Sequence, residues 1–361
     1  MTAWYIVLTT ALAGIILPQA VRVVINIAKT RNYFWGPVAA TLAAGYAEKK
    51  LEVRPGLTIN YAEGPAQGVP LLLVHGQGMI WQDYGRVLPD LARTYHVVAV
   101  DCHGHGATTW NPDDYRGTRI ADDLAVLIDQ VFGQPCVVSG HSSGGMIATL
   151  IAARHPDKVK GLVIEDAPFF STEPERAPKT FSYIDTFDNV AGFVSQTEEP
   201  DWVCYYMPRS YWKGFFQSLL TPPIGAKLWA VFTRSVIAQR RADPDALPLI
   251  RWAGVSINRI WESYSHSFDM RFAQTFCDFT WFDFDQADTL AQVRCPSTYI
   301  KTTTRVDKQG NLLAALSEDD VNRAHSLLAD DQVVRVRSGH DVHFEHPAQF
   351  VQIMTDFAKR I

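Results

Sequence analysis

The stretch Cys136-Val137-Val138-Ser139-Gly140-His141-Ser142-Ser143-Gly144-Gly145, running into Met146-Ile147-Ala148-Thr149-Leu150-Ile151-Ala152-Ala153-Arg154, decides the fold. Cys136–Gly140 is a short apolar run of the kind that forms a strand buried on both faces, and Met146–Arg154 is an apolar helix former. Ser142 therefore falls on the turn between a strand and a helix. The pattern G-x-S-x-G is short enough to arise by chance, so its context carries the reading. A turn sharp enough to lift a serine hydroxyl over a sheet is strained, and side chains two residues away would collide. Gly140 and Gly144 remove those collisions, while Gly145 lets the helix approach the strand.

Outward from this turn, short apolar runs alternate with helical stretches. The runs are Leu71–His75, His96–Asp101, Cys136–Gly140 and Gly161–Glu165. Continuous runs of this kind predict a parallel sheet with helices on both faces. The helix before Cys136 carries Ile120, Leu124, Ile128 and Val131 on one face, and Gly133 with Pro135 ends it. Upstream, Leu51–Val53 and Leu57–Ala62 are strand-like and are separated by the turn signal Pro55-Gly56. After about residue 167 the alternation stops. It resumes at Ser297–Lys301 and Val333–Val336, and a helix starting at Pro347 turns Phe350, Val351, Met354 and Phe357 inward.

The chain thus divides into an N-terminal apolar segment with a connecting helix or linker (1–50), the first part of an α/β core (51–166), an insertion (167–290) and the second part of the core (291–361). The insertion is expected to be a mainly helical cap after the sixth strand. Between Asp201 and Asp285 it holds 19 of the chain's 42 Phe, Trp and Tyr. Most of these rings must form the cap's own core. The excess also suits the wall of an apolar pocket.

Composition narrows the function classes. With 361 residues, 47% hydrophobic and 20% charged, the chain is globular and long enough for one large domain with an insertion. A net charge of −5 argues against a nucleic-acid partner. The five cysteines are widely spaced with no C-x-x-C pair, which disfavours a disulfide framework and a structural zinc site. Outside the loop at His340, His103-x-His105 is the one close histidine pair and lacks helical ligand spacing, so no metal is expected. No glycine pattern of a nucleotide site follows the first strands, so no cofactor is implied.

Met1 to Val21 carries no charge, and a helix there would be about 30 Å long, enough to cross a bilayer. A basic start typical of a cleaved signal is lacking, and Arg22, Lys29 and Arg31 follow. Attachment to a membrane through residues 3–28, with the remaining domain on the cytoplasmic side, is expected. The alternative is an apolar helix packed on its own domain in a soluble cytoplasmic protein.

A serine hydroxyl needs a base. In Ser338-Gly339-His340-Asp341-Val342-His343, His340 follows the last strand, so it emerges at the same sheet edge as Ser142. His343 is expected to pack or hydrogen-bond at the start of the next helix. The base needs a carboxylate to hold its tautomer. Asp307, beyond Ser297–Lys301, is favoured, with Asp166 beside Glu165 as the rival. Glu318, Asp319 and Asp320 read as a solvated helix start. Backbone N–H donors for a developing oxyanion are expected from Ser143, at the start of the helix, and Gln77, in His75-Gly76-Gln77-Gly78. His75 itself is expected to be structural.

The whole pattern resembles the α/β-hydrolase superfamily. The resemblance covers about residues 51–165 and 290–361. It rests on His75-Gly76-Gln77-Gly78, on Asp101-Cys102-His103-Gly104-His105-Gly106, on the elbow at Ser142, and on Gly339-His340 followed by Glu345-His346-Pro347. The order Ser142, Asp307, His340 agrees with the family order of nucleophile, acid and base. His103 stands where an arginine is common. Haloalkane dehalogenases and epoxide hydrolases of this superfamily place aspartate at the elbow, and Ser142 argues against both. The resemblance implies a serine hydrolase of carboxylic esters acting on a small molecule, and the aromatic insertion with the N-terminal apolar segment favours an apolar acyl or alcohol group. Carbon–carbon, amide or lactone hydrolysis, perhydrolysis, and low-turnover ligand binding are the alternatives on the same residues.

Overall fold

The computed structural model describes residues 18–361 apart from residue 220. Its centre is one sheet of eight strands: β1 (Ala47–Arg54), β2 (Leu57–Glu63), β3 (Val69–Val74), β4 (Tyr95–Val100), β5 (Cys136–His141), β6 (Val159–Glu165), β7 (Ser297–Lys301) and β8 (Asp331–Arg335). They lie in the order β1-β2-β4-β3-β5-β6-β7-β8. β1 and β2 are antiparallel to their neighbours, and every pair from β4 to β8 is parallel.

The apolar runs are strands, buried except at the edge strand β8, none of whose residues is fully buried. All six residues of β5 and all five of β7 are buried, as expected where helices cover both faces. Each face has its own core. One cluster packs Leu72, Val138 and Ile164 against the helices Gly117–Val131 and Ser143–Arg154; the other packs Leu73, Val137 and Val163 against Phe350, Met354 and Phe357. Pro347–Ala358 is the closing helix, as its spacing predicts.

The first edge differs from expectation. The stretch expected as a connecting helix or linker holds a helix at Trp35–Ala43, but β1 already begins at Ala47. Its first four residues are exposed and carry Glu48, Lys49 and Lys50, so no apolar signal marks it; pairing with β2 does. Pro55 and Gly56 form the turn, with Gly56 at φ 81°, where a side chain would be strained.

Between β6 and β7 the chain leaves the sheet. Helices, among them Asp188–Val194, Trp202–Tyr206, Pro222–Ala242 and Val255–Glu262, build a cap with its own core of Trp202, Tyr206, Trp229, Phe232 and Trp261. The later part of residues 167–290 returns to the sheet's core through Phe272, Phe276, Trp281 and Leu290. The aromatic excess is therefore shared between two cores.

Residues 1–17, most of the expected membrane segment, lie outside the described residues. Residues 18–30 are helical, with Val21, Val23, Val24, Ile25 and Ile27 exposed. Among the described residues no helix is long and apolar enough to cross a membrane. Tyr33, just beyond this helix, is buried on the domain.

Candidate active site

The sheet order places the site. The chain runs from β3 to β4 on one side and then to β5 on the other, so the ends of β3 and β5 flank a topological switch point, where open α/β sheets bind ligands. Ser142 follows β5 with φ 55° and ψ −125°, a conformation rare for a residue with a side chain. The glycines around it are obligatory. A Cβ at Gly140 would stand 2.0 Å from the Gly144 carbonyl oxygen, and one at Gly144 would stand 2.3 Å from that of Val74. Gly145 lies against Ala167 and the Gly140 carbonyl, so the elbow helix touches the sheet directly.

The loop after β3 presses on the same point. A Cβ at Gly76 would lie 3.1 Å from the Ser142 Cβ and 2.8 Å from His141 Nδ1. Two neutral histidines pin this loop. His105 Nε2 accepts the Gly78 N–H at 3.0 Å, and its Nδ1–H donates to the His103 carbonyl. His75 Nε2 accepts the Cys102 N–H, and its Nδ1–H donates to the Gly76 carbonyl. Burial pushes the pKa of His75 down to about 4 and that of His105 well below the ordinary histidine value, so both keep one acceptor nitrogen at neutral pH. His75 is thus structural, as expected. His103 pairs with Asp123 at 3.1 Å, away from Ser142. Among the described residues, no protein group takes up the backbone N–H of Gln77 or of Ser143. Both residues line the cavity that holds Ser142.

His340 follows β8 and lines that cavity too, with 41% of its side chain exposed. No direct hydrogen bond joins it to Ser142 here; such pairs are often loose until substrate arrives. Its Nδ1–H donates to Asp166 Oδ2 at 2.8 Å. Asp166 is the first residue after β6 and fully buried, at φ 43°. Its oxygens also accept the Thr302 N–H at 3.1 Å and the Thr302 hydroxyl at 2.7 Å. Burial alone would raise the Asp166 pKa, but His340, Lys301 and Thr302 more than offset it and the carboxylate stays charged. Enclosure opposes charging of His340, yet Asp166, Asp341 and Glu165 outweigh it and raise its pKa.

The expected partner, Asp307, does not meet His340. It lies six residues beyond β7 and closes its own loop by accepting N–H groups of Gln309 and Asn311 at 2.9 Å. Its other oxygen accepts the Asn311 amide and, at 3.1 Å, the Tyr211 hydroxyl of the cap. The rival residue, Asp166, is the carboxylate that touches His340. The signal was position. Asp166 sits at the very end of the strand beside β5, whereas the loop carrying Asp307 has room to fold outward.

His343 is buried at the start of the helix Val342–Glu345, as expected. Both ring nitrogens donate, Nδ1 to Glu165 at 2.8 Å and Nε2 to Asp83 at 2.8 Å. Burial opposes its charge, but these two carboxylates push its pKa up to about 10. Asp320 is not the solvated residue expected; it is buried, paired with Arg176, and completes a capping box with Ser317. Of possible metal donors, His141, His340 and Asp341 bring ligand atoms within 4.8 Å of one another. Asp341 is already committed to Arg259 and His141, and His340 Nδ1 to Asp166.

The cavity measures about 470 Å³, within the usual range for small-molecule sites. Cap residues Phe181, Phe187, Tyr211, Trp212, Phe215, Ile260 and Tyr264 line it together with Ser142.

A family model described as the alpha/beta hydrolase fold matches residues 69–347. Among curated proteins, epoxide hydrolase 4 of Homo sapiens is 34% identical over 116 residues, 31% of this chain and 32% of that protein. Pimeloyl-[acyl-carrier protein] methyl ester esterase of Chromobacterium violaceum is 39% identical over 104 residues, 29% of this chain and 39% of that protein. These matches thus span about a third of the length of the relatives. Among solved structures, an esterase from Rhodococcus sp. ECU1013 superposes with TM-score 0.59 at 21% identity, covering 86% of this chain and 98% of the other. A bacterial membrane phospholipase A superposes with TM-score 0.58 at 21% identity, covering 99% and 98%. A matched stretch from β3 to the start of the closing helix, the eight-stranded sheet and the cap after β6 lead to one conclusion: this chain belongs to the alpha/beta hydrolase family.

Proposed function

We propose that the protein is a serine hydrolase of carboxylic esters carrying an apolar group. Ser142 attacks the ester carbonyl, and His340 accepts its proton and returns it to the leaving alcohol. Asp166 holds the His340 tautomer and steadies the imidazolium. The Gln77 and Ser143 N–H groups receive the oxyanion, and water activated by His340 then releases the acid from the acyl-enzyme. The observation that carries this reading is a strained, glycine-enclosed Ser142 sharing one cavity with a His340–Asp166 pair at 2.8 Å. Aromatic cap residues lining the same cavity favour the apolar moiety. A serine at the elbow suits an esterase better than an epoxide hydrolase.

Ser142→Ala is expected to abolish turnover of a short-chain nitrophenyl ester while leaving the circular dichroism spectrum unchanged. Retained turnover would reject the reading. A 32% match over 116 residues to 2-hydroxymuconate semialdehyde hydrolase of Pseudomonas sp. keeps carbon–carbon cleavage as a second reading, which a substrate panel separates.

The same proposal extends to location. Residues 3–28 hold the chain at a bilayer, with the catalytic domain on the cytoplasmic side. The exposed valines and isoleucines of 18–30 and the cations Arg22, Lys29 and Arg31 support it. The full chain should cosediment with anionic lipid vesicles and a chain starting at residue 31 should not; equal cosedimentation of both would reject it.

A further inference from the structure

Arg259 is a cap residue buried in the core's charge network. It lies on Val255–Glu262 and lines the cavity with Ser142 and His340. Its Nη1 donates to Asp83 at 2.9 Å and to Glu262 at 2.8 Å, and its Nη2 donates to Asp341 Oδ2 at 2.5 Å. Its guanidinium also lies 3.9 Å over the Phe344 ring. Asp341 directly follows His340, and its other oxygen faces His141 Nε2 of the elbow at 3.2 Å. Asp83 in turn accepts from His343. One cap side chain therefore grips the loop of the catalytic base at Asp341 and Phe344, and at His343 through Asp83.

Both Asp83 and Glu262 are essentially inaccessible, so a cap that moved off would leave buried carboxylates without their cation. Lysine could not replace the fork, because a point charge on a flexible stem does not satisfy three carboxylates in fixed directions. The N-terminal segment joins the same network: the Tyr33 hydroxyl donates to Glu262 at 3.0 Å, and Phe34 stacks on His266, which also meets Glu262.

We propose that Arg259 is a positioning residue, the cap cation that holds the His340 loop against the elbow and screens the base from the charge of Asp341. This rests on His340 being the base. The charged and titratable groups around His340 are Asp166 and Glu165 at the end of β6, Asp341 on its own loop, His141 from the elbow and Arg259 from the cap. Three anions thus favour the imidazolium; Glu165 is paired with His343, and Arg259 offsets Asp341. Removing Arg259 exposes His340 to the full Asp341 charge, so the ring holds its proton to higher pH and acts as a base only there.

The test is the pH profile of kcat/KM, with kcat and KM measured separately on a short-chain nitrophenyl ester. In Arg259→Met, kcat is expected to fall about 10- to 100-fold with KM little changed, and the acidic limb to move up by about one pH unit. Adding Asp341→Asn should return the limb to its wild-type position. Arg259→Lys should keep the limb and lower kcat. If Arg259→Met does not fold, Asp341→Asn alone decides, because with Arg259 left in place its limb should move below that of wild type. A folded Arg259→Met with wild-type kcat and limb would overturn the proposal, as would an Asp341→Asn limb that does not move. Turnover persisting in Ser142→Ala would instead remove the reading on which the proposal rests.

Discussion

Asp166 and Asp307 leave the same edge of one parallel sheet, on neighbouring strands, and end in different worlds. Asp166 is the first residue past β6; its backbone is forced to positive φ, its carboxylate is buried, and Thr302 and His340 saturate it. Asp307 stands six residues past β7, where the chain has turned outward, and it spends its oxygens on its own loop and on Tyr211 of the cap. A residue at a strand end is aimed by the sheet, and a residue several positions later is aimed by its loop. The order of residues along the chain cannot tell these apart.

Breaking the two carboxylates in turn gives the largest expected contrast. Asp166→Asn should lower kcat/KM by about 10³- to 10⁴-fold, the range seen when a triad loses its acid, and Asp307→Asn should stay within about threefold, because its hydrogen bonds hold its own loop and Tyr211 of the cap and not His340. The pH profile sharpens the point. Asp166 helps to hold the pKa of His340 above the ordinary value of about 6.5. Activity requiring the neutral ring should therefore rise with pH above that value in the wild type, and the rise should shift to lower pH in Asp166→Asn.

A smaller effect should appear in stability. His343 is charged in the fold, with a pKa near 10 against about 6.5 unfolded. Its contribution is complete below about pH 6.5 and is lost as pH climbs toward 10. Thermal melts should show the wild type losing a few degrees across that window, with His343→Gln less stable at pH 6 and flatter above it. Parallel curves would contradict the charged pair. The smallest change is expected from Tyr211→Phe, which removes only the hydroxyl reaching Asp307. It should alter KM by no more than about twofold with kcat near wild type, as a contact between cap and loop would.

The sheet was legible because parallel strands must be apolar on both faces, and runs such as Cys136–Gly140 have few other uses. The elbow was legible because only glycine fits at 140 and 144, where a Cβ would meet backbone oxygen. Ser142 was legible as the residue after a buried strand, and His340 from its place after the last strand at the same sheet edge. The first half of β1, before Leu51, was not, since an exposed edge strand carries no apolar pattern there and is fixed by its partner. Nor was Arg259: it lies in the cap, 81 residues from His340 along the chain by its number, and it meets Asp83 and Asp341 only because the cap folds back over the sheet. Contacts of that kind leave no local trace.

The central claim is that Ser142 is made nucleophilic through His340 by Asp166. Intact-mass measurement of fluorophosphonate adducts over time tests it most directly, across wild type, Ser142→Ala, Asp166→Asn and Asp307→Asn. One adduct on Ser142, absent in Ser142→Ala, slowed strongly in Asp166→Asn and forming at the wild-type rate in Asp307→Asn is the predicted result. An adduct that forms without Ser142, or one slowed by Asp307→Asn and not by Asp166→Asn, would contradict it.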